Sequence, residues 1–254
     1  MTDIIFGEDE VRKVVVNFSG GKDSTVAILE ALKRYPKDEL ILCYQDTGAE
    51  YLETEGHVRK IATQLELPLI ILKRDEDFWG MVARRRFFPT PGVRWCTSYL
   101  KRDLLNKWIT RNFRGTDTEL ILVTGIRGEE SRARSRLHEW EEPKNVHIVR
   151  SVSRVWYPCI DKKEMEVKEQ VMAEGLELHP CYEFARRCGC WCCIFAPVGE
   201  VREYAERNPE IYEQACLLEE EIKNKWKHRF GFNDLMKQLK LFDNSLTKPE
   251  QDTY

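Results

Sequence analysis

The chain has 254 residues and a formal net charge of −3. That length allows one large α/β domain with an appendage, and the charge argues against a general nucleic-acid coat while leaving room for local basic patches. No apolar run nears the roughly 20 residues of a membrane-spanning helix, and the acidic start MTDIIFGEDEVRK lacks a signal-peptide core, so a cytoplasmic protein away from membranes is expected.

Lys13 to Phe18 (KVVVNF) is a β-branched apolar run that stops at Ser-Gly-Gly, the pattern of a buried parallel strand. From Asp23 the period becomes helical, with Val26, Ile28, Leu29 and Leu32 near one face and Pro36 as the stop. Leu40 to Tyr44 is a second strand, running into Gln45-Asp46-Thr47-Gly48. A helix over Tyr51 to Glu66, a strand over Leu69 to Leu72 and a helix over Glu76 to Arg86 follow. Phe87 to Arg94 holds two prolines and a glycine and reads as a loop. Thr97 to Phe113 is a long amphipathic helix, and Leu120 to Thr124 a fourth strand ending at Gly125-Ile126-Arg127-Gly128.

This alternation predicts an α/β fold with an open, mostly parallel sheet and helices on both faces. Beyond residue 145 the rhythm changes. Val146 to Val149 and Val155 to Tyr157 read as short strands of a hairpin, and Lys163 to Glu174 as a helix closed by Gly175. Val198 to Leu239 is mostly helical. The expected division is a nucleotide-binding core over 1–145, a cysteine-rich, mostly helical C-terminal extension over 146–243 packed on that core, and a frayed tail over 244–254.

Ligands of such sheets bind at the carboxyl ends of the strands, where Ser19 to Ser24, Asp46 to Glu50 and Gly125 to Arg136 all fall. Ser19-Gly20-Gly21-Lys22-Asp23-Ser24 joins a strand to a helix. Its glycines allow close approach of a phosphate, and the free N–H groups of the helix start attract anions. Lys22 adds a mobile cation, Ser19 and Ser24 add hydroxyls, and Asp23 is placed to cap the helix or to help hold Mg2+. The string has neither the Walker A spacing nor that of the dinucleotide fingerprint. Arginines just past a parallel strand, such as Arg127 and Arg132, suit phosphate or sulfate, with a solvated basic face as the plain alternative.

Nine cysteines are the unusual bulk feature, four of them between Cys188 and Cys193. Clustered thiols in a reducing compartment point to metal binding or redox chemistry. Cys190 and Cys193 form C-x-x-C, a spacing that brings two thiolates to one metal or cluster. The readings are an iron–sulfur cluster, a structural Zn2+ on four cysteines, or free thiols. Cys43, Cys159 and Cys216 read as structural, and His179, near Cys181, as an ordinary surface histidine, with a place behind the metal ligands as the alternative.

The string Ser19 to Ser24 resembles the PP-loop of the adenine nucleotide alpha hydrolase-like ATP pyrophosphatases. Asp46-Thr47-Gly48-Ala49-Glu50, Arg94-Trp95-Cys96-Thr97-Ser98-Tyr99-Leu100-Lys101 and Gly125 to Arg132 resemble the phosphoadenosine phosphosulfate (PAPS) reductase-like branch. The resemblance covers about residues 12 to 195. It implies that ATP or a related adenine nucleotide binds with Mg2+ on Ser19, Gly20, Gly21, Lys22, Asp23 and Ser24. Asp46 and Thr47 would lie beside it, with Gly125, Arg127 and Arg132 across the pocket. Cys181 followed by Gly189-Cys190-Trp191-Cys192-Cys193 is similar to the DNA-phosphorothioation iron–sulfur members. That similarity implies a [4Fe–4S] cluster on Cys181, Cys190 and Cys193, with Cys96 as fourth ligand and Cys188 and Cys192 as competitors.

The expected activity is cleavage of ATP to AMP and pyrophosphate, activating an acceptor for sulfur transfer. Lys22, Asp23, Arg127 and Cys96 are the expected catalytic residues, a cysteine desulfurase is a candidate sulfur donor, and nucleic acid a candidate acceptor. Two alternatives stand beside it. One is a sulfonucleotide (PAPS or adenosine phosphosulfate) reductase, although the C-terminal Glu-Cys-Gly-Leu-His motif of assimilatory reductases does not occur here. The other is a nucleotide- and nucleic-acid-binding protein with a structural metal, motivated by Arg84-Arg85-Arg86 and by Trp79, Trp95 and Trp140 as stacking partners.

Overall fold

The structure is a computed structural model that describes residues 12–246. It divides into two compact units. The first unites residues 1–77 with 96–190, and the second unites 78–95 with 191–254. The expected division at residue 145 does not coincide with these units. The first tenth of the notional core and the tail beyond Leu246 lie outside the described residues.

The first unit carries the sheet. Its strands are β1 (Arg12–Asn17), β2 (Leu40–Asp46), β3 (Leu69–Lys73), β4 (Glu119–Thr124), β5 (Trp140–Glu141) and β6 (Arg154–Trp156). Their order is β3-β2-β1-β4-β6-β5. All pairings are parallel except β5 with β6. The chain thus builds outward from β1 in one direction through β2 and β3, then returns to its other side with β4. The reversal at β1/β4 is the switch point where parallel α/β sheets leave a crevice at their carboxyl ends.

Alternation along β1 sorts its side chains. Val14 and Val16 face a core built with α1 (Lys22–Arg34), α2 (Thr54–Gln64) and α5 (Glu164–Ala173), through Val26, Ile28, Val58, Ile61, Val167 and Val171. Val15 faces the opposite core, with Ile41, Cys43 and α4 (Asp103–Phe113) through Leu105, Trp108 and Ile109. Helices therefore cover both faces, and β1 is apolar on both, as a central parallel strand requires. Helix α1 carries Asp23 in its first turn and Lys33 and Arg34 in its last, which complements its dipole. It ends where Tyr35 turns extended ahead of Pro36.

Two expectations are corrected. The hairpin does not use Val146 to Val149: residues Pro143–Val146 form a single tight helical turn, and the partner of β6 is Trp140–Glu141. Trp140 stacks on Trp156 at 5.4 Å with a 7° interplanar angle, which favours that pairing. The helix after Arg94 begins as a wider π-helical segment, Cys96–Arg102, before α4.

The second unit holds α3 (Phe78–Arg85), α6 (Val198–Arg207), α7 (Pro209–Ile222) and α8 (Phe232–Leu246), so the expected helical, cysteine-bearing C-terminal region is present. Its core is aromatic: Trp191 stacks on Tyr204 at 5.0 Å and Trp226 on Phe232 at 4.9 Å. Buried Glu219 accepts hydrogen bonds from the backbone N–H groups of Trp226, Phe232 and Asn233, fixing the turn between α7 and α8. Trp95 is buried beneath the Arg85 guanidinium, Trp79 lies 5.6 Å from Trp191, and both are engaged within this unit. Among the described residues no helix is long and apolar enough to cross a membrane.

Candidate functional site

The loop after β1 is compact. Gly20 adopts φ +78°, a left-handed conformation that favours glycine. Ser19 donates its N–H to Ser24 Oγ (3.2 Å), and Ser24 Oγ donates to the Gly21 carbonyl (2.8 Å). The Lys22 N–H, first of helix α1, donates to the Tyr182 hydroxyl (3.0 Å). A Cβ on Gly21 would lie 3.2 Å from that hydroxyl and 3.3 Å from Cys188 Cβ, so glycine lets the segment around Tyr182 approach the loop.

Lys22 and Arg127 are almost fully buried, and both are surrounded by carboxylates. Lys22 Nζ lies 3.6 Å from Asp23 and 3.6 Å from Glu164, and 4.7 Å from the centre of the Tyr182 ring. Arg127 pairs with Asp23 and Glu129, and its Nη2 stands 4.0 Å from Glu164 Oε2. Burial pushes the Glu164 carboxyl up, but the Lys168 hydrogen bond and the nearby Lys22 bring it below its ordinary value. Arg127 reaches Asp23 because β4 and α1 touch backbone to backbone: a Cβ on Gly125 would fall 2.2 Å from the Asp23 carbonyl oxygen. Two cations thus converge where β1 and β4 end, the geometry that recognises clustered phosphate or sulfate oxygens.

The loop after β2 forms a neighbouring group. Asp46 accepts from the Gly48 N–H and pairs with Lys73 (2.9 Å each). Thr47, itself buried, donates its N–H (3.0 Å) and hydroxyl (2.8 Å) to Glu50. Glu50 also meets Lys101 at 3.3 Å and the Cys190 thiol at 3.6 Å. Half-buried Lys101 is held above the ordinary lysine range by the Cys190 sulfur first, against the opposing effect of burial, with Glu50 and Cys96 adding to the rise.

The cysteine segment bears on the same loop. Cys188 Sγ donates to the Ser19 carbonyl at 3.7 Å. The donor atoms of His179, Cys181 and Cys188 lie within 4.8 Å of one another. The hydrogen bond from Cys188 draws the Cys181 thiol down to about 6 against the push of burial, and His179 adds to the fall. That same bond and burial hold the Cys188 thiol well above its ordinary range. His179 is buried, which corrects the expectation of a surface histidine. Its Nδ1 accepts the Cys181 N–H (3.0 Å), so the ring proton sits on Nε2 and points to Thr54 Oγ1 (3.1 Å). With Nδ1 occupied, His179 serves first as the cap that orients Cys181. A metal would have to take that lone pair away from the backbone.

The expected residues therefore separate. Ser19 to Ser24, Gly125 and Arg127 come together. Asp46 and Thr47 sit at the next strand end, and Arg132 lies exposed on the loop beyond Arg127. Of the four expected metal ligands, Cys181 adjoins Cys188, while Cys96 and Cys190 both act on Lys101. Cys193 belongs to the second unit. Cys43 and Cys159 are core thiols, each pushed up to about 12 by burial. Sequence reasoning missed Glu164 and Tyr182, which carry no motif. His179 takes the alternative place beside Cys181 in place of the surface.

A glycine loop, a buried lysine and a buried arginine at the switch point of a parallel sheet define a nucleotide-binding α/β fold. The chain belongs to the phosphoadenosine phosphosulfate reductase domain family, whose model matches residues 13–196. Two uncharacterized proteins of Methanocaldococcus jannaschii are each 29% identical to it. One match covers 81% of this chain and 41% of the relative, the other 86% and 48%. The chain thus spans less than half the length of these curated relatives. Among solved structures, the phosphate complex of PAPS reductase from Candida auris superposes with a TM-score of 0.50 at 17% identity, over 71% of this chain and 82% of that one, which establishes a shared fold.

Proposed function

We propose that the protein binds ATP with Mg2+ on Ser19 to Ser24 and cleaves it to AMP and pyrophosphate, activating an acceptor for sulfur transfer. The observation that carries this reading is the convergence of Lys22 and Arg127 at the β1/β4 switch point. An acceptor oxygen attacks the α-phosphorus, the α–β bridge breaks and pyrophosphate leaves. A sulfur nucleophile delivered by the donor then attacks the adenylated acceptor, and AMP departs with that oxygen. Lys22 and Arg127 neutralise the charge that builds on the departing pyrophosphate. Asp23 orients Arg127, and it is the loop carboxylate that would help hold Mg2+. Arg132 would contribute to the outer rim, and Asp46 and Thr47 to the nucleoside side.

Soft thiolate donors suit an iron–sulfur cluster or Zn2+. Cys96, Cys181, Cys190 and Cys193 are the proposed ligands, with Cys188, which adjoins Cys181, and Cys192 as competitors. Such a group would supply sulfur or electrons if iron–sulfur, and rigidity if zinc. A cytoplasmic setting, a cysteine desulfurase as sulfur donor and a nucleic-acid acceptor complete the proposal.

The test is product analysis with ATP and Mg2+: AMP and pyrophosphate in equal amounts support the reading, and ADP or no turnover overturns it. The family model also favours a second reading, a sulfonucleotide-processing enzyme. Tighter binding of PAPS than of ATP, with release of sulfite, would move the assignment there.

A further inference from the structure

We infer that the phosphate seat is occupied by the protein's own side chains, and that Glu164 and Tyr182 are the groups a nucleotide must displace. The inference rests on the phosphate-loop reading above and adds two residues to it that no motif marks. Glu164 opens helix α5. Its Oε1 faces Lys22 Nζ at 3.6 Å and its Oε2 faces Arg127 at 4.0 Å. One carboxylate therefore bridges the two cations that a bridging phosphate oxygen pair would use. The Tyr182 hydroxyl takes the N–H of Lys22, the first donor that the helix start offers to an anion.

Both groups can leave. Glu164 retains 42% of its side-chain exposure, against 2% for Lys22 and 5% for Arg127. Lys168, one turn along α5, already meets it at 3.1 Å and offers a surface partner once it swings away. The Tyr182 hydroxyl accepts from one backbone N–H and its ring faces the Lys22 ammonium, so its departure gives up one neutral hydrogen bond and one cation–ring contact. The cations themselves have no such freedom, so the ligand exchange happens by departure of the anion and the hydroxyl. Asp23 and Glu129 stay behind as the fixed partners of Arg127.

The consequence is that Glu164 competes with the ligand, and that removing its charge tightens binding. The measurement is calorimetric titration of the protein with pyrophosphate at constant ionic strength. Glu164→Gln is expected to tighten the affinity about fivefold, the worth of one partly exposed ion pair. Tyr182→Phe is expected to tighten it by about twofold to fivefold. Glu169→Gln, an exposed residue of the same helix with the same charge change, is the control and stays within about twofold of the unaltered protein. A merely structural Glu164 would leave affinity unchanged or weaken it, and either result overturns the proposal while wild-type binding keeps the phosphate-loop reading. Binding by Glu164→Gln alone would support the proposal in its strongest form. No binding by either protein overturns both readings.

Discussion

The phosphate loop and the cysteine segment lie against each other, yet they are specified in different ways. The loop is largely local: Gly20, Gly21, Lys22 and Asp23 follow one another at the start of α1, and β4 delivers Gly125 and Arg127 against them. The cysteine segment is non-local. Its partners are Ser19, Glu50 and Lys101, residues from three separate stretches of chain. A local motif states its own geometry. A run of thiols states only its chemistry and leaves the choice of partners to the fold.

The sharpest way to break the local half is at its backbone contact with the end of β4. Gly125→Ala places a Cβ against the Asp23 carbonyl, backbone on backbone, where no rotamer gives relief. A loss of about 3 kcal/mol or more is expected, read as a fall in the denaturation midpoint or as insoluble protein. Lys22→Ala leaves the fold intact but removes the loop's cation. AMP formation should fall about a hundredfold, measured by nucleotide chromatography.

The non-local half is tested by metal content. Cys181→Ser and Cys190→Ser should each lose most of the iron or zinc that anaerobically purified protein carries, while Cys43→Ser, altered in the core of the sheet, should keep it. Equal metal in all three would remove the proposed ligand set. The smallest effect belongs to the tie between α1 and α5. Glu30 accepts from Gln170 at 2.7 Å and pairs with Lys162 at 3.2 Å. Burial alone would raise its carboxyl, but these partners hold it below its ordinary 4.5. Its contribution is therefore present above that value and disappears as pH falls through the lowered one. Glu30→Gln should cost about 1 kcal/mol near neutrality and flatten the acid limb of a stability-versus-pH curve.

The same division explains what the sequence made legible. Lys13 to Phe18, Leu40 to Tyr44 and Leu120 to Thr124 read as buried strands because each is a continuous β-branched run, and the parallel sheet followed from the helices between them. The hairpin was misplaced because Trp140–Glu141 is two residues long and owes its place to the stacking of Trp140 on Trp156, a contact no periodicity announces. Lys22 and Arg127 were found by their place at strand ends. Glu164 was not, because a glutamate at the start of a helix is ordinary until the fold brings it to two buried cations. His179 was taken for a surface residue because its burial depends on Thr54, far away in the chain.

The strand order carries one more consequence, for the time when the protein is being made. Strand β1 is at the centre of the finished sheet, but its second neighbour, β4, begins only at Glu119. At the usual 5–20 residues per second, a ribosome needs on the order of 10 s to span that interval. For that long, the nascent half-sheet β3-β2-β1 presents the unpaired backbone of KVVVN on an open edge, a surface prone to join a like edge on another chain. Newly made chains should therefore depend on a holding chaperone until Gly125 has left the exit tunnel.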